Sequence, residues 1–501
     1  MSTIQQPASL PHPHISITIF GASGDLAKKK TFPALYSLIA HNQLPIDRVH
    51  FIGTARSDLK DDDFREKVSG KFKENADGET LNKFGEAVSY VKLESYTDEE
   101  SYKRLDGKLG ELEGKKDSGD HSPPLSKTSS VIKKILTPFK PPSPKQTDSK
   151  SKPLRIFYIA LPPSTFGDVA KNVKKHAWSS STINRIVVEK PYGRDLKTAK
   201  ELSEVLAGLF QEEEIYRIDH YLGKDTVKSL IPLRFGSNPF FHSIWNKDHI
   251  SHVSINFKEE FGAEGRGGYF DEFGMIRDVV QNHLMQLVVL CGMERPEGLG
   301  TEEVGKAKID FINSIRSVDP KNVLIGQYTA STKDKEKKAY KDDETVKKDS
   351  KASTFATAVL YVDNERWRGV PWILRAGKAL DEDHVSLRIH FKPSPHSLLP
   401  TSDKTQHQTL TLQDHPTKSL TLSLQTKKPG STSFITSCLP LTLPLEKPPT
   451  AFSYIPEAYE VLLLDVVHGR KTWFMSREEA ESGWRVWDEA ILAADGRVPE
   501  G

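Results

Sequence analysis

Residues 15–30 read ISITIFGASGDLAKKK. Ile15 to Phe20 is a short run dominated by β-branched residues, as a buried strand requires. At Gly21 the run breaks into GASGDLAKKK, after which apolar residues return through Leu35, Leu38 and Ile39 at helical spacing. The order is strand, glycine turn, helix, which aims backbone N–H groups and a helix N-terminus at a pyrophosphate. Gly21-x-x-Gly24 departs from the usual G-x-G-x-x-G, so by itself the turn is weak evidence. Lys28, Lys29 and Lys30 add positive charge beside it, as a solvated helix face would too.

Outward from this unit the pattern repeats. Val49 to Gly53 forms a second strand leading into Thr54-Ala55-Arg56, and β-rich runs follow at Ile156 to Leu161 and Ile186 to Val188. The alternation predicts a doubly wound parallel sheet of the Rossmann type. At the tip of the second strand an NAD enzyme carries an acid for the ribose 2′-hydroxyl. Here the residue is Arg56, which suits a 2′-phosphate and favours NADP; a solvated loop arginine is the alternative.

The length of 501 residues allows more than one buried core. Lys plus Arg number 70 against 68 Asp plus Glu, a formal charge of +2, so no global pull toward nucleic acid or a membrane surface is expected. Two cysteines, Cys291 and Cys438, support neither a disulfide framework nor a metal site, and no apolar run is long enough for a membrane span. A soluble, cytoplasmic, metal-free protein is expected. Residues 1–14 and the Ser/Lys/Pro-rich stretch 115–153 are expected to be disordered, the latter as an insertion in a dinucleotide-binding domain spanning 15–218. From 219 to 501 alternating segments such as Val253 to Phe257, Ala358 to Val362 and Leu420 to Leu424 predict an α+β domain with a large, mostly antiparallel sheet. Asp271 to Met293 is its clearest helix, and the Lys/Asp-rich stretch 333–351 is expected to be a mobile loop.

Four places concentrate chemistry. Lys190 follows a buried-looking strand and precedes Pro191, at the sheet edge where open α/β folds bind ligands. Arg217 to Lys224, RIDHYLGK, gathers cations, a carboxylate, an imidazole and a phenol; His220, Tyr221 and Lys224 suit a phosphate. His283 lies four residues after Val279 and four before Leu287, on the apolar stripe, with Asp278 and Asn282 preceding it. It reads either as a satisfied core histidine or as a general base. Arg375 and Lys378 follow an apolar strand and offer two cations to a phosphate, or are solvated strand-end charges.

Together GASGDLAKKK from Gly21, EKPYGRD from Glu189, RIDHYLGK from Arg217, the block Phe257 to Leu284 and NERWRGVPWILRAGKAL from Asn364 resemble the glucose-6-phosphate dehydrogenase family, in family order, over roughly Ile15 to Trp487. The resemblance implies oxidation of glucose 6-phosphate at C1 to 6-phosphogluconolactone with hydride transfer to NADP, the first oxidative step of the pentose phosphate pathway. It implies that Gly21, Ala22, Ser23, Gly24, Asp25, Leu26 and Lys30 form the dinucleotide turn. Arg56 would contact the 2′-phosphate, and Lys190 would touch both cofactor and sugar. His220, Tyr221 and Lys224 would hold the sugar phosphate, Glu259 and Asp278 the glucose hydroxyls, with Lys378 and Gln413 completing the pocket. His283 would be the base and Asp219 the carboxylate that orients it. A homodimer or homotetramer is implied as well. The chain departs from the family at Asp381-Glu382-Asp383-His384, at Thr411-Leu412-Gln413 and at Phe474 to Arg477, and it ends at Gly501. Many eukaryotic members hold a second, structural NADP with these regions, so that site is expected to be weakened. A catalytically silent or truncated NADP-binding paralogue is the alternative reading.

Overall fold

A computed structural model describes residues 10–70, 72, 76–114, 152–332, 334, 336–394, 408–432, 436–446 and 454–500. Six strands, β1 (Ile15–Phe20), β2 (Val49–Ala55), β3 (Val88–Lys92), β4 (Leu154–Ile159), β5 (Ile183–Val188) and β6 (Ile215–Arg217), form an all-parallel sheet in the order β3-β2-β1-β4-β5-β6. Every residue of β1 and β4 is buried, as a sheet covered by helices on both faces demands. β1 pairs Ile15 with Val49 on one side and with Leu154 on the other, so chain order reverses there and a crevice opens at the carboxyl ends of the strands. Gly21, Lys190 and Asp219 all sit just beyond those ends.

Eight further strands make the second sheet: β7 (Ile250–Lys258), β8 (Val323–Gly326), β9 (Phe355–Leu360), β10 (Trp372–Gly377), β11 (His384–Phe391), β12 (Thr409–His415), β13 (Ser419–Lys427) and β14 (Thr436–Pro444). Their order is β14-β13-β12-β11-β7-β10-β9-β8, antiparallel throughout except between β7 and β10. Burial alternates strictly along β9, whose one face meets the core. Val279, Val280, Leu284 and Leu287 pack there with Ile255, Leu374, Trp484 and Trp487.

Four expectations need adjustment. The single helix from Asp271 is broken: Gly267–Met275 is α-helical but Gly274 holds φ +63°, Met275 donates its N–H to Ser353 O at 2.8 Å, and Ile276–Leu284 then winds as a π-helix before Met285–Gly292 returns to α. Periodicity does not register such a break, because one glycine suffices for it. In the stretch expected to be a mobile loop, Tyr340 is fully buried and its hydroxyl donates to Gly267 O and Asp271 Oδ1, while Asp343 accepts from the Gly265 N–H. One aromatic anchors a segment whose charge count suggested solvent. At the N-terminus, residues 10–14 are ordered against the fold: Leu10, His12 and His14 are buried and His14 O accepts from Leu154 N. Residues 1–9 and 115–151, also expected to be disordered, lie outside the described residues. Finally, the helix Ala458–His468, placed with the second domain by the 219–501 boundary, returns to the first sheet. It buries Leu462, Leu463, Val466 and Val467 in the core shared with helix Phe32–Ala40 and β4, and Arg185 of β5 donates to Val466 O and Val467 O.

Candidate active site

Asp219 lies two residues past the end of β6 and caps the short turn His220–Gly223, its Oδ1 accepting from Tyr221 N at 3.0 Å. The same oxygen lies 2.6 Å from Nδ1 of His283, and both side chains are sealed from water. An ionised carboxylate only accepts, so Nδ1 carries the hydrogen and Nε2 keeps its lone pair. The π-helical turn carries His283 across the break after Gly274 onto the carboxyl edge of the parallel sheet. Tyr221 stacks on the imidazole at 4.6 Å between centroids and His220 meets it edge-on at 4.4 Å. Burial, then the charge of Lys190, hold the imidazole well below its ordinary titration range, so it is neutral and ready to accept a proton. Burial raises the Asp219 carboxyl, while His220, the Tyr221 N–H and Lys190 oppose that rise.

Three lysines surround this pair, and each meets a carboxylate. Lys190 Nζ donates to Asp278 O at 2.7 Å and approaches Asp278 Oδ1 at 3.3 Å. Its peptide bond to Pro191 is cis. Lys378 pairs with Glu259, and Lys224 with Asp414. Burial raises the Glu259 carboxyl against the pull of Lys378, whereas Asp278 stays below its ordinary value because Lys190 and Lys378 outweigh its burial. Cations and acceptors thus alternate around a buried base, which suits a polyhydroxylated, negatively charged ligand.

Some expected residues fall elsewhere. Gln413 Nε2 donates to Thr417 O and Oγ1 in the adjoining turn, and its neighbour Asp414 is the residue that reaches Lys224. Arg375 lies exposed on β10 while Lys378 turns inward over the Phe261 and Phe270 rings, so the two do not act as a cation pair. Arg217 is buried and pairs with Glu212 at 2.6 Å. Glu189 was not singled out from the sequence. It is 4 % exposed, accepts from the Tyr158 hydroxyl, and burial pushes its carboxyl up to about 7. The only available signal was an acid at the end of an otherwise apolar strand. Asp219, His220 and His283 also offer ligand atoms within 4.8 Å of one another; Asp219 Oδ1 takes two donors, while Asp219 Oδ2 is buried with no hydrogen-bond partner among the described residues.

At the glycine turn, Gly21 holds φ +79° and a Cβ there would lie 2.4 Å from Ala160 O, so only glycine lets β1 and β4 close together at the crevice. Gly21 N and Ala22 N both donate to Thr54 O, Ser57 Oγ donates to Ser23 Oγ, and Asp25 pairs with Lys29 at 2.6 Å. Lys30 is exposed, as is Arg56, whose guanidinium stands 5.3 Å from the Tyr96 ring centroid. A glycine-bearing turn below an exposed cation at the tip of β2 fits a dinucleotide bearing a 2′-phosphate. Away from this site, Asp381 and Glu382 both bind Lys258 at 3.0 Å.

A family model described as "Glucose-6-phosphate dehydrogenase, C-terminal domain" matches residues 231–499, and one described as "Glucose-6-phosphate dehydrogenase, NAD binding domain" matches 18–141 and 142–229. Among similar proteins, the glucose-6-phosphate 1-dehydrogenase of Cyberlindnera jadinii is 42% identical over 96% of this chain and 89% of its own length. The cytoplasmic glucose-6-phosphate 1-dehydrogenase 6 of Arabidopsis thaliana is 39% identical over 96% and 86%. A solved structure of a glucose-6-phosphate dehydrogenase in complex with its substrate glucose-6-phosphate superposes with TM-score 0.84 at 39% identity, covering 98% of this chain and 95% of that one.

Proposed function

The chain belongs to the glucose-6-phosphate dehydrogenase family, and from that premise we propose how its residues carry out the reaction. The enzyme oxidises C1 of glucose 6-phosphate to 6-phosphogluconolactone, the first oxidative step of the pentose phosphate pathway. NADP, when bound, supplies the acceptor for the hydride. His283 Nε2 takes the C1 hydroxyl proton as the C1–H bond breaks and C1–O becomes a carbonyl, so the proton and the hydride depart separately. Asp219 keeps the productive tautomer and stabilises the imidazolium that forms. Lys190 sits where it orients the sugar and keeps His283 neutral beforehand. Glu259 and Asp278 accept from glucose hydroxyls. His220, Tyr221, Lys224 and Lys378 hold the phosphate end, whose binding energy brings C1 into register. Gly21, Ala22, Ser23, Gly24, Asp25, Leu26 and Lys30 would hold the coenzyme, and Arg56 would meet its 2′-phosphate.

The observation carrying these assignments is the 2.6 Å contact of His283 with Asp219, inside a ring of lysines at the carboxyl edge of the sheet. The test is NADPH absorbance on mixing purified protein, glucose 6-phosphate and NADP. A folded sample with no signal would favour the catalytically silent paralogue. We also propose assembly as a homodimer or homotetramer, supported by the exposed Leu439, Leu441 and Leu443 on edge strand β14. A cytoplasmic location is supported by the Arabidopsis relative named cytoplasmic; among the described residues no helix is long and apolar enough to cross a membrane.

A further inference from the structure

Of the three carboxylates that clamp pocket lysines, two have a task on the sugar and one does not. Glu259 and Asp278 are assigned to glucose hydroxyls above. Asp414, at the end of β12, is left over. Its side chain is 9% exposed, Oδ2 holds Lys224 Nζ, and Oδ1 accepts from the hydroxyl of buried Thr226. Lys224 is thereby fixed over the Tyr221 ring, 4.4 Å from its centroid. The carboxylate is pinned from both sides, so it does not swing out to solvent as an exposed partner would.

We propose that Asp414 sets the affinity of the phosphate subsite, acting as an internal competitor that occupies Lys224 until a phosphate dianion displaces or shares it. This rests on Lys224 being a phosphate ligand. A dianion arriving at Lys224 meets a fixed negative charge beside its target, in a pocket where water screens little. Binding either breaks the Lys224–Asp414 pair, leaving a poorly solvated carboxylate, or tolerates like charges at close range. Both weaken retention of the substrate and equally of the phosphorylated product, whose departure lets Asp414 take Lys224 back. The hydrogen bonds of Asp414 go to Lys224 and Thr226 and not to His283, so its direct effect falls on the phosphate end of the site.

The test measures KM for glucose 6-phosphate, KM for glucose, and Ki for inorganic phosphate in the full-length Asp414→Asn, Thr226→Val and Lys224→Ala variants. Asparagine keeps the shape and the Thr226 hydrogen bond but removes the charge. Asp414→Asn is expected to lower KM for glucose 6-phosphate and Ki for phosphate by about three- to ten-fold, the effect of one nearby partly screened charge, with KM for glucose unmoved. Thr226→Val, which unpins the carboxylate, moves the same two constants in the same direction by less, and it decides the matter if Asp414→Asn does not fold. A rise in KM for glucose 6-phosphate in either variant would mean that Asp414 merely aims Lys224, and would overturn the proposal. So would an equal change for glucose. Lys224→Ala reports separately: an unchanged KM for glucose 6-phosphate would remove the underlying assignment of Lys224, whatever Asp414 does.

Discussion

His283 Nδ1 and Asp219 Oδ1 stand 2.6 Å apart, one on a π-helical turn and the other just past the last strand of the parallel sheet, 64 residues away in sequence. Neither side chain has access to water, so each has only the other and its immediate neighbours to settle its proton. Asp219→Asn keeps a hydrogen bond but removes the charge that stabilises the imidazolium. kcat is expected to fall by about 10²- to 10⁴-fold, as is usual on losing a general base, with KM for glucose 6-phosphate changed far less. His283→Asn should cost about as much, and the double variant little more than either alone, because the two act as a unit. Additive losses measured by NADPH formation would contradict this.

The acid limb of the rate profile follows from the same pair. The base works when unprotonated, and burial with Lys190 lowers its titration below the ordinary 6.5. kcat/KM should therefore hold on going down through pH 6.5 and fall only at lower pH. Lys190→Met removes a positive charge that disfavours imidazolium, so the acid limb should move to higher pH as overall activity drops. A limb that stays in place would show that Lys190 does not act on His283.

Coenzyme choice should rest on Arg56. Its guanidinium is exposed at the tip of β2 and free to meet a 2′-phosphate by charge-assisted hydrogen bonds, whose loss typically costs about 10- to 100-fold. Arg56→Ala is expected to raise KM for NADP by that factor while leaving KM for NAD nearly unchanged. Equal effects on both coenzymes would place Arg56 outside the site.

Most of the parallel sheet was legible because strands buried on both faces are nearly pure β-branched and aromatic runs, as in Ile15 to Phe20, and because a glycine turn marks the first crossover. The sequence also supplied the chemical inventory of the pocket. What local spacing could not supply was pairing. It put Asp278 and Asn282 beside His283, and only the family resemblance named Asp219, the partner found; Gln413 was expected in the pocket, yet the neighbouring Asp414 reaches Lys224. Register decides which of two consecutive strand residues faces a pocket, and a one-residue difference inverts the answer. The break at Gly274 and the anchoring of Tyr340 escaped for another reason: each depends on long-range contacts, to Ser353 and to Gly267 and Asp271, that no local pattern encodes.

Acid should weaken the fold through two histidines held uncharged, buried His12 and half-buried His468. Burial foremost, aided by Arg470, Arg185 and His12, pushes His468 down to about 4, and burial also lowers His12, whose Nδ1 lies 3.1 Å from Lys152 O. In the unfolded chain both return to about 6.5. Above that value neither state is charged and these groups leave stability independent of pH. As pH falls below it the unfolded chain takes up protons that the folded chain refuses, so stability drops, with a slope approaching one proton per histidine, until the folded value is reached near 4 for His468. Denaturant unfolding at pH 7.5 and at pH 5 should therefore give a lower midpoint at pH 5, and His468→Gln should narrow the gap between the two. The same gap in the variant would mean that His468 is charged in the folded protein, and that Arg185 and Arg470 do not exclude its proton.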